Sequence, residues 1–249
     1  MGPYLQQLGH ETFFWNEPSV LRPGQDFFDS SSPFLGNVKS AEKFIYQTRK
    51  NHSPHLGKIT VMAHSFSVHY VYEILTKFDT QIDELILFAP AFDIHTADLN
   101  IFQLAAEGLK SQGVIEKSHQ LTEAISQLQD GFDDHKYNSF LLAAEYGSLF
   151  THYWKNQELM QRYFSFLGNE FSFDLTGMLQ SRQAMPQTFT TLTRKIEIPT
   201  KIYFGSEDPV TKPSEQLKRV GDYFQDPEII VLENCRHFPH LEQMEEIFN

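Results

Sequence analysis

Residues 61–70 read VMAHSFSVHY. An apolar run of strand formers ends on Ser65, with Ala63 two residues before it and Ser67 two residues after. Ile59 to Ala63 reads as a strand. From Phe66 onward, Val68, Val71, Tyr72, Leu75 and Phe78 share one face of a helix. A strand that turns straight into a helix strains the corner residue and crowds the positions two before and two after it, so both must be small. Such a corner lifts the Ser65 hydroxyl above the sheet. It also leaves the amide of Phe66 at the start of the helix, where it can donate to a developing oxyanion with help from the helix dipole. On this stretch alone, a structural serine fits equally well.

Similar apolar runs recur outward from this corner: ETFFWN at 11–16, KITVMAH at 58–64, ELILFAP at 84–90, TKIYFG at 200–205 and EIIVLEN at 228–234. Each is short and nearly continuous, as strands covered on both faces are. Ala41, Phe44, Ile45 and Thr48 mark a further amphipathic helix between them. Strands alternating with helices predict an α/β fold with a mostly parallel sheet. The alternation breaks between about 92 and 190, where the patterns are helical: LNIFQLAAEGL at 99–109, then Leu121, Ala124, Ile125 and Leu128, then SFLLAAEYGSLF at 139–150. Tyr153, Trp154, Tyr163, Phe164, Phe166, Phe171 and Phe173 follow. The expected organisation is a core of residues 1–91 and 190–249, with 92–189 inserted as a helical cap. Any single one of these aromatics fits the cap's own small core equally well, but together they point to an apolar capped pocket between cap and sheet.

A nucleophilic serine needs a base, and the base needs an orienting carboxylate. In IYFGSEDPVTKP, Asp208 follows a strand and a Gly turn; in VLENCRHFPHLEQ, His237 follows the last strand. The order Ser65, Asp208, His237 puts each residue at the carboxyl end of its own strand, where open α/β sheets place their sites. His240 is a rival base and Asp93, after ELILFAPAFD, a rival acid; Glu207 faces away if its loop is extended.

These three segments resemble the α/β-hydrolase superfamily: AHSFS its nucleophile elbow, with Ala and Ser where Gly is usual, FGSEDPV its acid loop, and ENCRHFPHLEQ its histidine loop. The similarity covers both flanks of the cap. It implies a serine hydrolase with Ser65 as nucleophile, His237 as base and Asp208 as orienter, cleaving a carboxylic ester, thioester or related acyl bond through an acyl-enzyme and using no cofactor. Amide and C–C bond hydrolysis remain open. Haloalkane dehalogenase and epoxide hydrolase chemistry is disfavoured, because it needs a carboxylate at the elbow. His237 sits where the family's histidine follows a Gly, a place taken here by Arg236.

The resemblance also implies two or three strands ahead of residues 11–16 and a His-Gly loop that supplies a second oxyanion amide. No such strand is legible in MGPYLQQL. The expectation is an incomplete chain or a sheet closed differently, with Gly2 as the remaining candidate donor and an exposed sheet edge through which an oligomer can form. The alternative function is a catalytically impaired, hydrolase-like protein that binds an apolar ligand or partner. A purely structural interaction domain is a third reading, and it leaves the three loops unexplained.

Composition sets the outer limits. A net charge of −12, from 32 acidic and 20 basic residues, opposes binding to nucleic acid. No window reaches the length of a membrane helix, and MGPYLQQLGHETFFW lacks the plan of a leader peptide, so no membrane insertion is expected. The single cysteine, Cys235, excludes an internal disulfide and fits a cytoplasmic setting. The histidine pairs His52 and His55, His64 and His69, and His237 and His240 lack the spacing of a zinc helix, and no phosphate-cradling glycine loop is present. The expected partner is a small-molecule acyl substrate. The acidic groups Asp130, Asp133 and Asp134, and Glu242, Glu245 and Glu246, read as solvated surface.

Overall fold

The computed structural model describes residues 1–15, 32–52, 57–78, 80–128, 133–167, 175–185 and 194–249. Four of the apolar runs become strands: β1 (Thr60–His64), β2 (Glu84–Phe88), β3 (Thr200–Gly205) and β4 (Glu228–Leu232). They form one sheet in the order β1–β2–β3–β4, every pair parallel. Ala63 lies beside Leu87, Leu87 beside Ile202, and Ile202 beside Ile229.

Successive side chains of a strand point to opposite faces. Leu85, Leu87, Ile202 and Phe204 face one way and pack with Phe34 and Val38 of the helix Pro33–His52, Val71 and Ile74 of Val68–Lys77, and Val220 and Tyr223 of Pro213–Tyr223. Ile86, Phe88, Tyr203 and Leu232 face the other way and meet Cys235, Ile247 and Phe248. The central strands are therefore apolar on both faces, as their unbroken hydrophobic runs require. Leu85, Leu87, Ile202 and Phe204 are fully buried, and each contributes roughly 1.5–3 kcal/mol. β4 departs from the expected burial: at the end of the sheet, Ile229 and Val231 remain exposed.

Residues 11–15 are not a strand, contrary to the reading of ETFFWN; Asn16 lies outside the described residues. A strand exists only where a ladder partner exists, and here the segment is pinned by side chains instead. The Trp15 indole donates to the Ser40 hydroxyl at 3.2 Å, and the Phe13 ring meets the edge of His52 at 4.7 Å. No strand precedes Thr60 among the described residues.

Between β2 and β3 run the helices Ile94–Ser111, Ile115–Ile125, Asp134–Ala144, Gln157–Leu167 and Leu175–Gln183, with a 3₁₀ turn at Leu149–Tyr153. They share a core built on Phe102, Leu109, Leu121, Phe140, Tyr153, Trp154 and Leu179. Val210, Phe238 and Leu241 join it, so this block rests on the loops that follow β3 and β4. Of the predicted aromatic stretch, Tyr153, Trp154 and Tyr163 pack here and Phe164 is exposed; Phe171 and Phe173 lie outside the described residues.

Two acidic groups read as solvated surface have structural partners. Asp133 caps its helix by accepting from the Lys136 amide, and Glu242 accepts from the amides of Lys155, Asn156 and Arg236. Among the described residues, no helix is long and apolar enough to cross a membrane.

Candidate active site

The strand ending at His64 gives way at once to a 3₁₀ turn, Ser65–Ser67, and then to the helix Val68–Lys77. Ser65 has φ of 52°, in the left-handed region that side chains other than glycine avoid. This is the strained corner expected from small-x-Ser-x-small. The Ser65 carbonyl accepts from the Ala91 amide at 3.2 Å, tying the corner to the end of β2. Phe66 follows within the first turn, where backbone N–H groups have no acceptor inside the helix.

The loops after β3 and β4 are laid against each other. Ser206 donates to the Leu232 carbonyl at 2.9 Å and Glu207 to that of Cys235 at 3.0 Å. Gly205 makes this approach possible: a Cβ there would lie 2.2 Å from the Arg236 carbonyl oxygen. The crossing buries Asp208 and His237, which are 3% and 4% exposed.

Asp208 Oδ1 accepts from the amides of Val210 and Thr211 at 2.8 and 3.1 Å; Oδ2 accepts from the Thr211 hydroxyl at 2.6 Å and faces His237 Nδ1 at 2.8 Å. Burial raises the pKa of this carboxyl. The neighbouring His237, its hydrogen bond, the Thr211 hydroxyl and the Val210 amide outweigh burial, and the net shift is downward. With Asp208 ionised, Nδ1 of His237 carries the proton and Nε2 presents its lone pair to Ser65 Oγ, 3.1 Å away. The His237 amide donates to the Tyr153 carbonyl at 3.0 Å, so the helical block helps fix the histidine loop.

The other predicted residues make separate contacts. Asp93 caps the helix Ile94–Ser111 by accepting from the Thr96 amide. Glu207 pairs with Lys155 at 2.6 Å. His240 lies among aromatic rings, 4.9 Å from those of His64 and Phe88, and its Nδ1 is buried without a partner. Burial first, then the charge of His237, hold its pKa down at about 3. Gly2 opens the helix Gly2–Gln7; a Cβ on it would meet the Phe14 ring at 3.0 Å and the Thr12 hydroxyl at 3.5 Å. His64 and His69 serve separate backbone sites, donating to the carbonyls of His237 at 2.7 Å and Ala91 at 2.8 Å.

Sequence reasoning missed the roles of four contributors. Thr211 stands in the quoted acid loop, and an Asp followed three residues later by Thr was a legible side-chain-to-backbone turn signal. The Tyr153 carbonyl and the Glu242 carboxylate had no such signal, because both act through distant backbone. Arg236, in the family's Gly position, donates to the carbonyls of His152 and Trp154 at 3.1 and 3.3 Å and so anchors the histidine loop to the helical block.

No curated protein matches the chain. Solved structures do resemble it in fold. MenH from S. aureus has a TM-score of 0.53 at 13% identity, over 93% of this chain and 78% of that one. The proline iminopeptidase-related protein from Thermus thermophilus scores 0.54 at 16% identity, over 89% and 68%. The monoacylglycerol lipase from Paleococcus ferrophilus scores 0.50 at 17% identity, over 92% and 77%. The model of the family described as serine aminopeptidase, S33, matches residues 31–244, a span that takes in all four strands and the helical block between β2 and β3. The chain therefore belongs to this family of α/β-hydrolase enzymes.

Proposed function

We propose that the protein is a serine hydrolase that cleaves a carboxylic ester, thioester or related acyl bond of a small molecule. One observation carries this reading: Ser65 Oγ, His237 Nε2, His237 Nδ1 and Asp208 Oδ2 form a continuous hydrogen-bonded chain at 3.1 and 2.8 Å. In the proposed cycle, His237 Nε2 takes the hydroxyl proton as Ser65 Oγ bonds to the acyl carbon. The tetrahedral oxyanion accepts from the Phe66 amide. The carbon–leaving-group bond then breaks, and the imidazolium returns its proton to the departing oxygen or sulfur. Water repeats the sequence on the acyl-enzyme, releasing the acid and restoring Ser65. Asp208 stays ionised throughout and stabilises the imidazolium. The same steps act on an amide or an activated C–C bond, so the bond type rests with the substrate pocket.

The helical block 92–189 serves as the cap in this reading. Its contacts with Val210 and Phe238, in the two loops that carry Asp208 and His237, support that role. The free, buried Cys235 suits a cytoplasmic enzyme. A second reading, a catalytically impaired protein that holds an apolar acyl ligand, draws on Gly2. Gly2 is the candidate second oxyanion donor, and the loss of such a donor lowers turnover about a hundred- to a thousandfold.

Fluorophosphonate labelling and turnover of short-chain p-nitrophenyl esters separate the two. Labelling and turnover that vanish in Ser65→Ala support the hydrolase. An unlabelled wild-type protein that binds acyl ligands selects the second reading.

A further inference from the structure

We infer that Arg182 is the anchor for a carboxylate on the acyl substrate, so that the preferred substrates are anionic. This specificity rests on the proposed hydrolase reading and extends it.

Arg182 lies on the helix Leu175–Gln183 and is 7% exposed. Its guanidinium is held between two rings, with Cζ 4.9 Å from the centroid of Phe66 and 5.0 Å from that of Phe140. Phe66 is the residue after Ser65, so the cation sits against the corner that carries the candidate nucleophile. Tyr153, in the same core as Phe140, belongs to the other half of the site. The Tyr153 carbonyl holds the His237 amide, and its ring lies 5.4 Å from the imidazole.

A guanidinium has five N–H donors in a fixed fork. Among the described residues, Arg182 spends one bond, from Nη1 to Asp98 Oδ1 at 2.8 Å. Asp98 is fully buried and is shared: its Oδ2 lies 3.8 Å from Lys136 Nζ. Asp98 thus fixes the orientation of Arg182 without using the rest of the fork. A buried cation with donors to spare, pressed between apolar rings beside a nucleophile, matches a planar, singly charged carboxylate. The chain as a whole carries −12, so its overall field repels anions. A preference for an anionic substrate therefore requires a local cation of this kind.

The test compares p-nitrophenyl butyrate with p-nitrophenyl hydrogen glutarate, which places a carboxylate at the far end of the acyl chain. Wild-type kcat/KM is expected to favour the glutarate. Arg182→Met is expected to lower the glutarate-to-butyrate ratio about tenfold or more, the usual worth of a charge-assisted hydrogen bond, and Arg182→Lys to lower it less. A wild-type ratio at or below one overturns the inference, whether or not the variants fold. So does a folded Arg182→Met protein whose ratio is unchanged, because a merely structural Arg182 lowers both substrates together. Stronger competitive inhibition by inorganic phosphate than by glutarate overturns the carboxylate assignment.

Calorimetric binding of glutarate and dimethyl glutarate to Ser65→Ala, with and without Arg182→Met, reads the same contact without turnover. Glutarate bound tenfold or more tightly through Arg182 sustains the inference even if Ser65 proves not to be the nucleophile. Equal binding of the diacid and diester overturns it while leaving the hydrolase reading intact.

Discussion

Replacing Asp208 by Asn tests how the proposed mechanism uses its buried carboxylate, because it changes almost nothing in shape. Asp208 Oδ1 takes the Val210 and Thr211 amides, and an Asn carbonyl oxygen at that position keeps both bonds. The Thr211 hydroxyl, 2.6 Å from Oδ2, turns from donor to acceptor. His237 Nδ1, at 2.8 Å, cannot adapt while it carries a proton, because the Asn amide is itself a donor. The imidazole moves its proton to Nε2, which then faces Ser65 Oγ at 3.1 Å with a hydrogen where the lone pair was. The base is blocked, and the imidazolium that forms during attack loses its counter-charge. Such a tautomer inversion costs about 10⁴ in kcat, or roughly 5.4 kcal/mol of barrier. Ester turnover and the rate of fluorophosphonate labelling should fall together in Asp208→Asn, while far-UV circular dichroism and the urea midpoint stay near wild type. Asp93→Asn should retain turnover, since that carboxylate caps a helix. A folded Asp208→Asn protein within tenfold of wild-type turnover would refute the assignment of Asp208 as the group that sets the histidine tautomer.

Two further outcomes follow from single contacts. Gly205→Ala puts a Cβ 2.2 Å from the Arg236 carbonyl and 2.5 Å from that of Cys235; the histidine loop must retreat by about 1 Å to reach ordinary contact, a displacement that costs about a hundredfold in kcat/KM, and turnover within threefold of wild type would contradict this. His69, fully buried and donating to Ala91, has its pKa held down at about 4 by burial first, with the Arg182 charge adding to the effect, against an unperturbed 6.5. The unfolded chain takes up this proton below about pH 6.5 and the folded chain does not until about pH 4, so the associated stability is complete above the window and falls as the pH drops through it. His69→Gln should reduce the slope of urea-derived stability across that window by up to about 1.4 kcal/mol per pH unit; an unchanged slope would exclude His69 as a source.

Local chemistry made much of the fold legible in the chain. The four strand runs were readable because buried parallel strands are apolar without interruption, and the corner at Ser65 because its geometry tolerates only small neighbours such as Ala63 and Ser67. The run at 11–16 shows where such reading stops. Its strand-like composition was real, but residues 11–15 have no ladder partner among the described residues, and pairing lies outside any one segment. β4 makes the same point, because a strand's place at the edge of the sheet does not alter its own hydrophobic pattern.

Residue type and order along the chain, which depend only on short-range stereochemistry, sufficed to nominate Ser65, Asp208 and His237. Which of them meet was decided by the tertiary fold. Asp208 faces His237 because Gly205 lets two loop backbones cross, and Asp93, the rival acid on paper, ends as a helix cap. The placing of Arg182 beside Phe66 was likewise unreadable, since a cation–ring contact across a hundred or more residues exists only once the helices have packed.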